Sequence, residues 1–428
     1  MPGDAAVRGA DDIVVVRRPV THGPRTTGVN ASLLSRRDVI VWAIAFVLVA
    51  TWLVAIRFAS DDPDSALYAD QSARLAAEPV AHWIAPEWWG NWDSDGLFRE
   101  HPVGVLIAPV LLATLGVPGV QAAYIVGIAA GLIAVVLIAW LIARVMSRDD
   151  GRAALVLLQL MPMAFIFRIR ANHEYPMLVC LLVALIGIEA VRRSWRWAWV
   201  TPLALCAAVL VKAAFVAVPL LAIGWWMLIN PLGTKGSIAR PIATIALSLA
   251  AIVVMSMGYD ALYLRVTGES FWGGYWARQL APLSIGAAPA NQPGMLHHLG
   301  FYAVRMAWHP APWSLALAAT LWITRGRWRA TWQGLPSVHR RALIFVGLFV
   351  ISTVLMLVPM SRFAERYIFS ANYALAAAGL VIAIRQWPRL GETLRHLDAR
   401  IPAFPALCWA VLMALRLVLG PFLPRISG

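Results

Sequence analysis

Four stretches of the sequence carry residue types that do chemistry. In the first, Asp61-Asp62-Pro63-Asp64, three carboxylates gather around a proline, with Tyr68 one helical turn beyond. They either solvate one helix end and cap the next, with Asp64 as N-cap, or supply a general base. The second, Arg168-Ile169-Arg170-Ala171-Asn172-His173-Glu174-Tyr175, forms a salt-bridged turn or holds a substrate. The third is Lys212, within the apolar run 203–221. A charge at a span centre costs about 2.5–3.5 kcal/mol, so Lys212 calls for a partner in the acidic first outer loop or an anionic ligand. The fourth, Ser361-Arg362-Phe363-Ala364-Glu365-Arg366-Tyr367, sets two guanidinium forks at the start of an apolar run. Such forks snorkel to the surface or bind phosphate bidentately. A further segment, 272–279, ends in Arg278-Gln279, and His297-His298 follows. Adjacent histidines on a helix point to different sides and make no paired metal site.

The elements that must position these groups are membrane helices. The chain is 60% apolar and 14% charged, against about 45–50% and 25% in soluble domains. Apolar runs of about 18 residues, the span-length signal, recur from residue 39 onward. Secreted, cytosolic, collagen-like and disordered classes are excluded. The net charge of +14 sits between the apolar runs, as the positive-inside bias requires, and does not indicate nucleic-acid binding. Only Lys212 and Lys235 are lysines among the 36 basic residues, a skew that favours a GC-rich bacterial source. Cys180, Cys206 and Cys408 all lie in apolar runs, with no disulfide framework and no metal spacing.

Arg36 and Arg37 hold a polar tail, 1–37, in the cytoplasm, and the tail contains no apolar signal-peptide core. After a first span at 39–58, the outer loop 60–101 holds nine of the 22 acidic residues and only Arg74 and Arg99 as bases. The run 103–117 is short and contains Pro109, so it reads as an interfacial or re-entrant helix. Spans then follow at 122–145, 153–167, 176–191, 199–211, 213–229, 242–262, 301–323, 343–358, 368–384 and 403–419. The expectation is an all-α polytopic membrane protein of about 11 transmembrane helices, with 38–428 as one domain. All four chemical segments and the second outer loop, 263–298, fall on the outer face.

In order, these segments resemble the dolichyl-phosphate-mannose-protein mannosyltransferase-like family and the lipid A aminoarabinose transferases, both C-type membrane glycosyltransferases. Pro63-Asp64-Ser65-Ala66-Leu67-Tyr68-Ala69 is similar to the Pro-Asp-Glu-x-x-Tyr-Ala signature after the first span. Glu100-His101-Pro102-Val103-Gly104-Val105-Leu106 is similar to a Lys-Pro-Pro-Leu segment, and Val209-Leu210-Val211-Lys212 to Leu-Thr-Lys-Gly. Segment 170–178 corresponds to the stretch carrying a second acidic residue, and Glu365-Arg366-Tyr367 to an Arg-Tyr motif. Ser65 stands where the family has Glu, His101 where it has Lys, and Val103 where it has a second Pro.

The resemblance implies a bundle with outer-face interfacial helices and an inverting transfer from a polyprenyl-phosphate sugar. The acceptor hydroxyl belongs to a lipid, a glycan or a protein. Carried over by position, Asp64 is the catalytic base, and Glu174 orients the acceptor or the cations. Arg366, with Arg362 and Lys212, neutralises the leaving phosphate. Tyr68, His101, His173, Arg278 and Tyr367 complete the set as substrate contacts, with His101 a titrating replacement for a fixed cation. The resemblance fixes no cofactor and leaves metal dependence open, since Asp61, Asp64 and Glu174 are of the type that bind a divalent ion. The chain ends without the soluble C-terminal domain of some relatives, which assigns acceptor recognition to loops 79–100 and 263–298. The expected location is the bacterial inner membrane, multi-pass, with a cytoplasmic N-terminus and the active site on the outer face. Two rivals share parts of this pattern: a lipid-linked glycan transporter or flippase, and a surface-glycan polymerase or ligase. A transporter places its charges through the midplane and shows repeat symmetry, whereas here the polar groups collect at one interface.

Overall fold

The computed structural model describes residues 62–87, 96–168, 170–283 and 294–387, with residues 40, 43, 389 and 392, and excludes the side chains of Leu160, Phe165 and Arg168. The tail 1–37, the expected first span 39–58, Asp61, Cys408 and the expected last span 403–419 lie outside the described residues. Those described form helices with no strand, only one isolated bridge between Glu87 and Leu97.

Helix α1 (Pro63–Ala77) opens the site. Its N-cap is Asp62 and not Asp64, a correction to the sequence reading: Asp62 accepts from Ser65 N–H at 3.2 Å, and Pro63 follows at the first helical position. A proline suits that position because its missing N–H would be unpaired there anyway. Capping by Asp62 leaves the carboxylate of Asp64 free for other work. Helix α2 (Gly104–Thr114) has 11 residues. It rises about 16 Å, roughly half of a 30 Å hydrocarbon layer, in keeping with the non-spanning reading of 103–117. Helix α3 (Gly119–Val145), with 27 residues, exceeds that thickness. At Gly127 it lies so close to the chain that a Cβ would sit 2.7 Å from the Arg170 carbonyl oxygen.

Two expected spans are broken by proline. The 153–167 run is split into α4 (Arg148–Leu157) and α5 (Pro162–Arg168). Later, the 301–323 run divides at Pro310-Ala311-Pro312. Proline removes a helical hydrogen bond and clashes with the preceding turn, so an apolar run containing it need not be one helix.

The chain reverses at Lys212. Helix α6 (Glu174–Val191) is followed by α7 (Val200–Lys212) and α8 (Ala217–Ile229). Thr201 donates to the Ala184 carbonyl at 3.1 Å, and Lys212 Nζ donates to Glu174 Oε1 at 2.9 Å. These contacts pair the start of α7 with the end of α6, and the end of α7 with the start of α6. Helix α8 then returns, because Trp226 Nε1 donates to Glu189 Oε2 at 3.1 Å. The turn is made by Ala213 at φ 38°. One apolar stretch, Trp195–Ile229, is therefore a hairpin of two short helices.

Helices α9 (Ala239–Thr267), α10 (Met295–Trp308), α11 (Trp313–Thr324), α12 (Ser337–Leu357) and α13 (Phe369–Gln386) complete the bundle. Its largest core joins Phe167, Tyr175, Leu185, Trp226, Phe349, Phe369 and Tyr373. Six segments among the described residues are long and apolar enough to cross a membrane, so the all-α membrane architecture is shown; two of the 11 expected spans lie outside those residues, and the total is not confirmed. The polar groups divide between two ends. At the end away from Lys212, Arg192 donates to the Met227 carbonyl at 3.1 Å, and Arg240 donates to the Arg193 carbonyl at 3.0 Å. The other end holds the site.

Candidate active site

The N-terminus of α1, residues 100–101, residues 170–173, the Lys212 turn and the stretch after α12 enclose a cavity of about 830 Å³. Asp64, His101, His173, Lys212, Arg362, Arg366 and Tyr367 all line it, although they come from five separate stretches of sequence. Glu174 lines a small adjoining cavity with Lys212, Arg366 and Tyr367.

Most of the charges are already paired. Arg366 binds Asp64 directly. Arg170 lies 3.7 Å from both Asp62 and Glu365, and Arg305 and His309 reach Glu365 at 3.6 and 3.3 Å. The break between α10 and α11 is what places His309 there. Lys212 and Glu174 form a buried pair, with side chains 5% and 1% exposed. The Lys212 ammonium also lies 4.6 Å from the Phe215 ring and 5.7 Å from that of Tyr367, contacts that favour a cation on an aromatic face. Two lining charges stand apart from these pairs. Arg362 and Glu100 enter no ion pair among the described residues, and each acts on the other through space.

Around Glu100 the wall is polar but uncharged. The Tyr68 hydroxyl donates to the Glu100 carboxylate. The Tyr68 ring meets that of His173 edge-on at 5.2 Å, and His173 meets His101 at 4.6 Å. Burial holds the His101 imidazole well below its ordinary value, helped by His173 and Lys212, and burial and Lys212 do the same for His173. Both rings are therefore neutral near pH 7, which corrects the expectation that His101 titrates in place of a fixed cation. Burial also raises Glu100, against the opposing pull of Tyr68, Arg362 and Lys212. Tyr68 is held well above its usual range by burial and by Glu100, Glu174 and Asp62.

The structure thus brings together every sequence-selected residue except one. Arg278 sits in a π-helical turn, Trp276–Leu280, whose neighbours Gln279 and Leu280 line the cavity while Arg278 does not. Tyr68 stands behind the wall, against the two histidines. Sequence reasoning missed Glu100, Arg170, Glu365, Arg305 and His309 as parts of the site. For Arg170 the signal was present, since a basic residue at that face breaks the positive-inside bias. His309 and Arg305 carried none, because the broken helix that delivers them reads as a continuous span. Among the described residues no group of three or more His, Cys, Asp or Glu is placed to hold a metal ion.

Residues 100–259 match the family model described as dolichyl-phosphate-mannose-protein mannosyltransferase. The chain is also similar in structure to ArnT from Cupriavidus metallidurans bound to undecaprenyl phosphate. That likeness has a TM-score of 0.62 and 17% identity, over 90% of this chain and 66% of that one. The apo state of the same protein gives 0.60 and 16%, over the same shares. The chain therefore spans just under two thirds of the length of ArnT. No curated protein matches the sequence. The family resemblance read from the motifs is borne out by the family model over 100–259, and the expected membrane-bundle fold by the likeness to ArnT.

Proposed function

We propose, from that fold and the matched segment, that the chain is a membrane glycosyltransferase. It moves a sugar from a polyprenyl-phosphate donor to an acceptor hydroxyl, with inversion, at the outer face of a bacterial inner membrane. The observation that carries this reading is the cavity itself, in which the first-loop carboxylate Asp64 faces Arg366, with Arg362 unpaired on the same wall.

The chemistry follows from these positions. Asp64 takes the proton of the acceptor hydroxyl as its oxygen bonds the anomeric carbon. The bond from that carbon to the phosphate oxygen breaks in line, which inverts the centre. The electron pair leaves with the polyprenyl phosphate, and Arg362 and Arg366 stabilise the growing charge. A phosphodiester carries one negative charge, and among the described residues Arg362 is the lining cation that no carboxylate holds in an ion pair. The arginine-bearing end of the bundle lies opposite the cavity, and the positive-inside bias assigns that end to the cytoplasm. Among the described residues the more buried ion pairs gather at the cavity end, with no charge ladder through the core, which favours an enzyme over a transporter.

The test is transfer of radiolabelled sugar from undecaprenyl-phosphate sugar to an envelope acceptor fraction, by purified protein in lipid. Wild type should transfer label. Asp64→Asn should lose transfer by about 100-fold or more, the usual weight of a general base, while keeping its fold. Intact lipid crossing the bilayer with its sugar–phosphate bond unbroken would instead establish a transporter.

A further inference from the structure

The cavity reads two different chemistries at its two ends, and the second bears on which sugars fit. Resting on the transferase reading above, we infer that Glu100, with His101 and His173, forms a subsite for the hydroxyl groups of an uncharged sugar.

Three observations converge on this subsite. First, among the described residues Glu100 is the lining carboxylate that no cation engages in an ion pair, whereas Asp62, Asp64 and Glu365 are all so engaged. Its charge requirement is therefore open, and a buried polar group in that condition calls for a hydrogen-bond partner. Second, the polar atoms there outnumber their partners. Glu100 Oε2 and the Nδ1 atoms of His101 and His173 are buried and make no hydrogen bond, and the His173 side chain is 1% exposed. Sugar hydroxyls, each both donor and acceptor, match neutral imidazoles and a carboxyl group better than any one-signed ligand. Third, Lys212, Arg362 and Arg366 line the same cavity as Glu100 and the two imidazoles, and oppose a further ammonium group there, which disfavours a cationic amino sugar. An acidic sugar would bring a carboxylate against Glu100 and into a buried wall, and is excluded by repulsion and desolvation.

The position is fixed from behind. Arg99 pairs with Glu269, and the Val103 N–H donates to the Tyr259 hydroxyl at 3.3 Å, so the three residues between are held at both ends. Tyr68 orients the carboxyl group from the other side.

Binding separates this subsite from both phosphate recognition and catalysis. Three lipids serve as probes with protein in nanodiscs: bare undecaprenyl phosphate, undecaprenyl-phosphate glucose and undecaprenyl-phosphate 4-amino-4-deoxyarabinose. Wild type should bind the glucosyl lipid about tenfold more tightly than the other two, the yield of one or two net hydrogen bonds. Glu100→Ala should remove that advantage and leave the affinity for bare lipid within about twofold, which also shows that the variant is folded. Glu100→Gln, which keeps the shape and the hydrogen-bonding capacity, should retain most of the advantage. Equal losses for bare and glucosyl lipid in Glu100→Ala, or tighter binding of the amino sugar lipid by wild type, would overturn the subsite. Glu100-dependent binding of the glucosyl lipid without any turnover would leave the subsite standing and remove the transferase reading. Turnover indifferent to Glu100 would do the reverse.

Discussion

Replacing Lys212 with Met tests whether its charge belongs to the fold or to the ligand. Lys212 Nζ lies 2.9 Å from Glu174 Oε1, and the two side chains are 5% and 1% exposed. At that burial the attraction is barely screened, and removing one partner strands the other charge, at a cost of about 3–5 kcal/mol. Glu174 is poorly placed to absorb the loss. Its Oε2 makes no hydrogen bond, and the nearby His173 Nε2, 3.6 Å from Oε1, belongs to a neutral ring. Lys212→Met should therefore lose about 3–5 kcal/mol, and Lys212→Met with Glu174→Gln should return to within about 1 kcal/mol of wild type, since a buried pair replaced whole is often neutral. The assay is denaturant unfolding of purified protein in detergent, for the wild type, both single variants and the double, closing a mutant cycle. An exposed pair would contribute about 0–1 kcal/mol. If both single variants stay within that range while affinity for undecaprenyl phosphate falls tenfold or more, the pair is incidental and the ammonium faces the ligand.

Three further outcomes follow from the geometry. Arg362→Ala should weaken binding of bare undecaprenyl phosphate by about tenfold or more, as loss of a charge-assisted hydrogen bond does, with thermal stability unchanged; unaltered lipid affinity in a binding titration would remove Arg362 from phosphate recognition. Stability should fall as the medium is acidified below about pH 6.5, the ordinary histidine value. The unfolded chain then takes up protons that buried His101 and His173 refuse, at a limiting slope of about 1.4 kcal/mol per pH unit for each ring, while Glu100, raised in the native state, opposes this nearer its own range. Unfolding midpoints measured from pH 5 to 8 should show this slope, reduced in His173→Phe. Gly127→Ala should cost about 1–3 kcal/mol by overpacking, since its Cβ would meet the Arg170 carbonyl at 2.7 Å, a backbone atom that cannot swing aside; full stability with full transfer would show that residues 170–173 have slack.

What the sequence made legible were the features set by local rules. The length of 103–117, the reversal at Lys212 and the gathering of carboxylates and arginines at one face follow from hydropathy and charge placement. Hydropathy shows that Lys212 needs a partner, but the partner is Glu174, at the start of α6, and not a carboxylate of the acidic loop 60–101, because only the packing of α7 on α6 brings the two together. The features it could not show depend on tertiary registration. Asp62 and Asp64 are equally good caps by type, and only the position of Pro63 in the folded turn assigns the cap to Asp62. Glu365, in a quoted motif, became part of the site only through Arg170, Arg305 and His309, which the 170–173 stretch and the broken helix α10 deliver. The neutrality of His101 depends on burial against His173, 72 residues away in sequence, which no local pattern encodes.

The direct contact between Asp64 and Arg366 has a consequence for the rhythm of turnover. On the transferase reading proposed above, Asp64 holds the place at Arg366 that a donor phosphate takes, so an arriving phosphate exchanges with it and frees the carboxylate to meet the acceptor hydroxyl. After the sugar has moved, the reverse exchange returns Arg366 to Asp64 and loosens the spent lipid phosphate, so on that reading resetting the base and clearing the product are one event.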